Sequence, residues 1–148
     1  MMAEFHLCAT ANEIAVRALL AETRARLCAA GLPAPVCGTV ELVLAEALNN
    51  IVEHACARVE NARIDLRAAL DPSDLRCTLS DRGAPLPGLE MPDGHHPEIG
   101  PDPDTLPEGG FGWMLIRSLT REIRYERHDA TNHLTLWFDL SHAQSAAR

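Results

Sequence analysis

From residue 84 to residue 108 the sequence carries seven prolines and three glycines and shows almost no apolar period. This stretch limits the fold more than anything else in the chain. Proline fixes φ and removes a backbone donor, and a segment without a period has no face to bury. The hydrophobic core must therefore be assembled from the residues on either side of it. A loop of this length inside a compact domain is functional or disordered.

The flanks do carry periods. Residues 4–10 are short and partly alternating, as in an edge strand. Residues 12–30 place Ile14, Val16, Leu19, Leu20 and Leu27 among Glu and Arg, which predicts an amphipathic helix. Asn12 is its expected N-cap and Gly31 its stop before Pro33. A second helix is expected over 35–57. Residues 62–70 and 75–80 read as strands joined by the turn Asp71-Pro72-Ser73-Asp74. Beyond the loop, residues 109–119 begin with glycines and become helical. Residues 122–128 and 131–140 form a hairpin turning at Asp129-Ala130, and the polar tail after Ser141 is expected to fray. The expected fold class is α+β, a two-layer sandwich of one mixed sheet with helices on one face. A single domain is expected over 1–148, with a core at about 5–140 and a lid at about 84–110.

Composition narrows the function. With 148 residues, 47% of them hydrophobic but only six aromatic, the chain fits one core built from Leu, Ile, Val and Ala. A formal net charge of −8 disfavours nucleic acid as a direct partner. It does not exclude a small anionic ligand, which backbone amides and Mg²⁺ can hold on an acidic protein. Five scattered cysteines without a CxxC spacing predict no zinc site and point to thiols in a reducing compartment. The N-terminal MMAEFHLCAT has no signal-peptide pattern, and no apolar run looks long enough to span a bilayer. A cytoplasmic protein without a membrane partner is the expectation.

Three segments carry chemistry. In the second helix Glu46, Asn50 and His54 recur every four residues along the shoulder of an apolar arc. An Asn carbonyl is a hard oxygen ligand for Mg²⁺, and a carboxylate one turn away can act as a general base. Alone, such a pair reads first as part of a solvated helix face, where pairs of this kind are common, and His54 reads as a helix residue with a local hydrogen bond. The second segment is a strand ending in Asp81-Arg82-Gly83. A carboxylate there can accept from an exocyclic amine, and the glycine admits a ligand close to the backbone. By itself Asp-x-Gly is also common turn chemistry. The third is Gly109-Gly110-Phe111-Gly112 leading into a helix, either an anion site of unpaired amides or a flexible helix start.

Taken together, in this order and at these distances, the three segments resemble the N, G1 and G2 boxes of the Bergerat ATPase fold of histidine kinases, gyrase and anti-sigma factor serine kinases. The last group is the nearest likeness, through Glu46-Ala-x-x-Asn50-x-x-x-His54 and Gly109-Gly110-Phe-Gly112-x-x-Leu-Ile. The resemblance spans about 5–140 and implies an ATP-binding anti-sigma factor and serine-protein kinase that phosphorylates an anti-anti-sigma antagonist. It implies Asn50 on the Mg²⁺ that bridges ATP phosphates and Glu46 as the residue that orients or deprotonates the attacking serine. It also implies Asp81 and Gly83 at the adenine, Gly109, Gly110 and Gly112 on the phosphates, and Thr131 near the adenine side. A sigma factor and the antagonist are the implied partners, and a homodimer through a sheet-side surface is implied with them. The chain departs from the pattern at Ala84-Pro-Leu-Pro87 and in having no Lys or Arg over 84–108. Arg82, His95 and His96 are the nearest candidates for a basic group at the terminal phosphate. That departure leaves a second reading open, an ATP-binding regulatory module with little or no phosphate transfer.

Overall fold

The computed structural model describes residues 3–89 and 110–141. Strand β1 (Ala3–Thr10) leads into helices α1 (Glu13–Ala29) and α2 (Ala34–Asn50), and α2 runs on through one π turn, Ile51–Ala55. Strands β2 (Arg63–Leu70) and β3 (Asp74–Asp81) come next, then helix α3 (Gly110–Leu119) and strands β4 (Glu122–His128) and β5 (Thr131–Asp139).

Local chemistry places the punctuation. Asn12 caps α1 by accepting from the Ala15 amide at 2.8 Å. At the other end the Gly31 amide donates to the Cys28 carbonyl and the Leu32 amide to the Leu27 carbonyl, with Gly31 at φ 101°. This is a Schellman turn, and it needs a residue without Cβ at that position. The β2–β3 turn closes on Asp71, whose Oδ1 accepts from the amides of Ser73 and Asp74. Asp129 and Ala130 both lie at positive φ, 51° and 58°, giving a two-residue primed turn that matches the strand twist.

The five strands form one sheet in the order β1-β2-β3-β5-β4. The α+β sandwich is as expected from the sequence, with one correction: every pair is antiparallel, where a mixed sheet was expected. The reason is topological. The crossover from β3 through α3 delivers β4 running parallel to β3 but one position beyond it, and β5 turns back into the gap. No two parallel strands are left adjacent.

Strands β2, β3 and β5 alternate buried and half-exposed residues along their length, so one face is dry and the other is not. The dry face carries Ile64, Leu66, Leu75, Leu79, Leu134 and Leu136, and meets Val40, Val43, Leu44, Ala47 and Leu48 of α2. Truncating Leu44, fully buried, is expected to remove roughly 2–5 kcal/mol of stability. Residues Ala34–Ala55 are long and apolar enough, by length and composition alone, to cross a membrane. Their buried side chains are instead committed to this core.

Three thiols lie inside it. Burial pushes Cys37 and Cys56 up to about 11 and Cys77 up to about 12, from an ordinary 9.0. The hydrogen bond with Cys28 helps at Cys37, and the charge of Asp81 helps at Cys56. A raised value favours the protonated form in the fold. The contribution is therefore complete below pH 9.0 and is lost as pH rises through 11 to 12. The free energy of unfolding read from urea titrations is expected to fall as pH rises from 9 to 12, by about 2 kcal/mol for each thiol. Cys77→Ala should flatten part of that fall.

Candidate functional site

The site grows from the end of α2. Glu46 is half-buried and presses on the start of α3: a Cβ added to Gly112 would lie 2.8 Å from its Oε2. Gly112 is thus the point where α3 approaches α2 without a side chain in the way. A carboxylate also sits well beside the positive end of a helix.

One turn later stands Asn50, the last residue of α2. Its Nδ2 is buried and has no hydrogen-bond partner among the described residues. An amide flip interchanges the two ends of a carboxamide, so the orphan marks the group rather than one atom. A buried polar group left unpaired costs about 1–3 kcal/mol. Such groups are rare, and they occur where a ligand completes the bonding.

The helix does not continue as α to residue 57, as the sequence led us to expect. It closes a π turn, in which the Cys56 amide donates to the Ile51 carbonyl at 2.8 Å. Single π turns recur at functional sites. The wider turn breaks the four-residue stripe, and His54 lies exposed. It also aims the Ala55 carbonyl at the chain just after β3, where the Ala84 amide donates to it at 2.7 Å. A Cβ on Gly83 would collide with that same carbonyl, so the position admits only glycine.

At the end of β3, Asp81 is only 4% exposed. Its Oδ1 accepts from the Gly83 amide at 2.8 Å, from Asn132 Nδ2 at 3.0 Å and from the Cys56 thiol at 4.0 Å. No hydrogen bond from the described residues reaches Oδ2. The carboxylate is held on one oxygen by the protein and keeps the other available.

Asn132, equally buried, is the cross-strand partner of Asp81. Its Oδ1 accepts from the Tyr125 hydroxyl at 2.6 Å and from Arg127 Nη1 at 2.7 Å, and its Nδ2 also donates to the Ala84 carbonyl at 2.9 Å. Arg127 donates further to the Gly83 carbonyl at 3.0 Å, and the Leu86 amide donates to the Tyr125 hydroxyl. These bonds lock the chain just after Gly83 onto the β4–β5 hairpin.

Tyr125, Arg127 and Asn132 were not among the residues singled out from the sequence. A signal for them exists: Asn132 occupies the apolar phase of β5 (Asn132, Leu134, Leu136, Phe138), and Tyr125 and Arg127 occupy the phase of Ile123 in β4. Polar groups in a dry phase must find partners. Thr131 is placed differently from its expected position. Adjacent strand residues point to opposite faces, so Thr131 lies on the outer side of the sheet, where it lines a depression with Ser80 and His133. Asn132 takes the place beside Asp81.

Of the remaining expected positions, Gly110 begins α3, and Gly109, His95 and His96 lie outside the described residues. Arg82 is exposed and borders the same outer depression as Thr131. The structure therefore strings Glu46, Asn50, Ala55 and Cys56 along one helix and its π turn. Glu46 contacts α3 and Cys56 contacts Asp81, with Asn50 between them. Among the described residues no group of three His, Cys, Asp or Glu side chains could hold a metal. A divalent ion here would need oxygens from a ligand, as Mg²⁺ on a nucleotide does.

Comparison with known proteins agrees with this geometry. Residues 9–138 match the histidine kinase-like ATPase domain family. The chain is 33% identical over 98 residues to the serine/threonine-protein kinase BtrW of Bordetella bronchiseptica, covering 66% of this chain and 67% of that one. Among solved structures it resembles the RsbU and RsbW domains of a Mycobacterium tuberculosis protein, with TM-score 0.64, 19% identity and 92% of this chain covered. It also resembles a blue-light activated histidine kinase of Erythrobacter litoralis EL346, with TM-score 0.53, 22% identity and 77% covered. The chain spans about a third of the length of each of these two structures, 32% and 33%.

Proposed function

The chain belongs to the histidine kinase-like ATPase domain family, and from that premise we propose that it is an ATP-binding anti-sigma factor and serine/threonine-protein kinase. The observation that carries the reading is the unpaired Asn50 amide at the end of α2, between Glu46 and the Cys56–Asp81 contact. The relative named as a serine/threonine-protein kinase supports the reaction class.

The residues fit the ligand this family implies. Asn50 supplies the oxygen for Mg²⁺, and the ion when bound neutralises charge on the phosphates. Asp81 accepts from the adenine amine through its spare oxygen, held in place by Asn132 and the Gly83 amide. Gly83 lets the base approach the backbone. Gly110 and Gly112, in the first turn of α3, offer amides to the phosphates, and the family resemblance adds Gly109, just before the helix in sequence, to the same role. Glu46 orients the attacking hydroxyl and takes its proton.

The partners in this reading are a sigma factor and a small anti-anti-sigma protein that receives the phosphate on Ser or Thr. It further proposes a cytoplasmic homodimer formed through the outer face of the sheet, with no direct contact to nucleic acid or membrane. Thr131, on that outer face, is proposed to meet no nucleotide.

A second reading, a nucleotide-dependent binding module with little transfer, is favoured by one observation: residues 84–108 hold no Lys or Arg to stabilise the terminal phosphate. Calorimetry with ATP, with and without Mg²⁺, tests the common part. Asn50→Ala is expected to abolish the Mg²⁺-dependent increment of affinity and leave metal-free binding within about twofold. Absence of ATP binding by wild type would sink both readings. Transfer of labelled phosphate to the antagonist then separates them.

A further inference from the structure

Outside the nucleotide region, the turn between α1 and α2 holds two cysteines side by side. Cys28 lies in the last turn of α1 and Cys37 in the first turn of α2, with their sulphurs 3.0 Å apart. The Schellman turn at Gly31 and the N-cap at Pro33 fold the chain back tightly enough to make them neighbours. The Arg24–Glu41 ion pair, 2.9 Å, ties the same two helices together a turn away. We propose that Cys28 and Cys37 are an oxidisable dithiol, a modification site that peroxide converts reversibly into an intrachain disulfide.

The two sulphurs differ in a way that orders the chemistry. Cys28 is exposed, whereas Cys37 is fully buried. A peroxide therefore reaches Cys28 first. Its O–O bond breaks, the Cys28 sulphur becomes a sulfenic acid and one water leaves. Cys37, held as a thiol by burial, is protected from direct oxidation. Its sulphur then attacks the Cys28 sulphur, the S–O bond breaks, and a second water leaves with the Cys37 proton. The pair loses two electrons, which the peroxide accepts. The sulphurs must close by only about 1 Å to reach a bond of about 2.05 Å, and both sit at helix ends next to a short turn. A small thiol reductant reverses the reaction by exchange.

The arrangement is specific to this pair among the described residues. Cys8 is exposed on β1 with Arg63 beside its sulphur, and Cys56 and Cys77 are buried elsewhere, Cys56 against Asp81. Closing the short loop between residues 28 and 37 restricts the unfolded chain, so the oxidised protein melts higher.

The test uses the full chain carrying Cys8→Ser, treated with stoichiometric hydrogen peroxide, digested without reductant and mapped by mass. Cleavage after Glu22 and Glu41 leaves Cys28 and Cys37 alone on one peptide, residues 23–41, and the expected result is that peptide two hydrogens lighter than its reduced form, regaining them with dithiothreitol. The melting temperature is expected to rise by about 5–10 °C on oxidation. Cys28→Ser, at an exposed position, should fold normally and show neither the link nor the rise. Conversion of Cys28 to sulfinic acid with no link, or a link to Cys56, Cys77 or a second chain, would overturn the proposal.

Discussion

Glu46→Gln is expected to slow phosphate transfer to a serine or threonine of the antagonist by about 10²–10⁴-fold, the range for losing a positioned general base. ATP affinity is expected to stay within about threefold of wild type, since glutamine keeps the shape that fits where Gly112 has no side chain. The separation of the two effects is the point. Glu46 stands one turn before Asn50 and touches α3 rather than Asp81 or its network, so its role falls on the reacting hydroxyl and not on the base. Single-turnover transfer at saturating ATP, alongside calorimetry, reads both quantities. A parallel fall in affinity and transfer would make Glu46 a shaping residue for the pocket. An unchanged rate would remove it from the chemistry.

Asp81→Asn should act at the other end of the site and in the opposite manner. Gly83 and Asn132 both donate to Oδ1, and each would clash with an amide NH₂ there. The internal donors therefore force the new carboxamide to put its oxygen at the Oδ1 position and its nitrogen where Oδ2 was. The fold is kept, and a donor now faces the adenine amine, itself a donor. Affinity for ATP is expected to fall about 100-fold, as when a polar group in a built site loses its complement. GTP, which presents a carbonyl where ATP presents the amine, should be affected far less. Calorimetry with both nucleotides checks this, and an equal loss for the two would separate Asp81 from base recognition.

How much of the molecule is legible in the chain depends on the range of the interactions. Both long helices and all five strands carry their period within a few residues, and Asn12, Gly31 and the Asp71 turn are local signals that the structure contains. Glu46 and Asn50 stand out by their four-residue spacing beside the apolar arc, Asp81 and Gly83 by their place at a strand end, and all four by the order of the segments that the family resemblance rests on. The π turn is not legible, since a five-residue closure leaves no mark on the apolar pattern of Val52, Ala55 and Cys56. The Asn132 network is hidden for another reason: it exists only once Asp81 is registered against Asn132 across β3 and β5. Thr131 and Asn132 are a single residue apart, and in a strand one residue is the difference between the two faces. The antiparallel sheet depends likewise on β5 entering the gap beside β3, which no single segment encodes.

The π turn also sets a rule on chain length. Ahead of it α2 ends at Asn50; behind it the Ala55 carbonyl meets the Ala84 amide, and Gly83 has no room for a side chain. Removing one residue between these points would let the helix relax to ordinary α geometry. Everything beyond would then turn by about 100°, and the carbonyl would swing off the Ala84 amide. The number of residues from Ile51 to Ala55 is thus fixed by the fold, while the identity is free only at exposed Glu53 and His54, since Ile51 lies in the core and Val52 and Ala55 pack against it. Deleting one residue at this joint is therefore expected to cost far more than substituting exposed Glu53 or His54, because only the deletion changes the spacing between the two halves of the pocket.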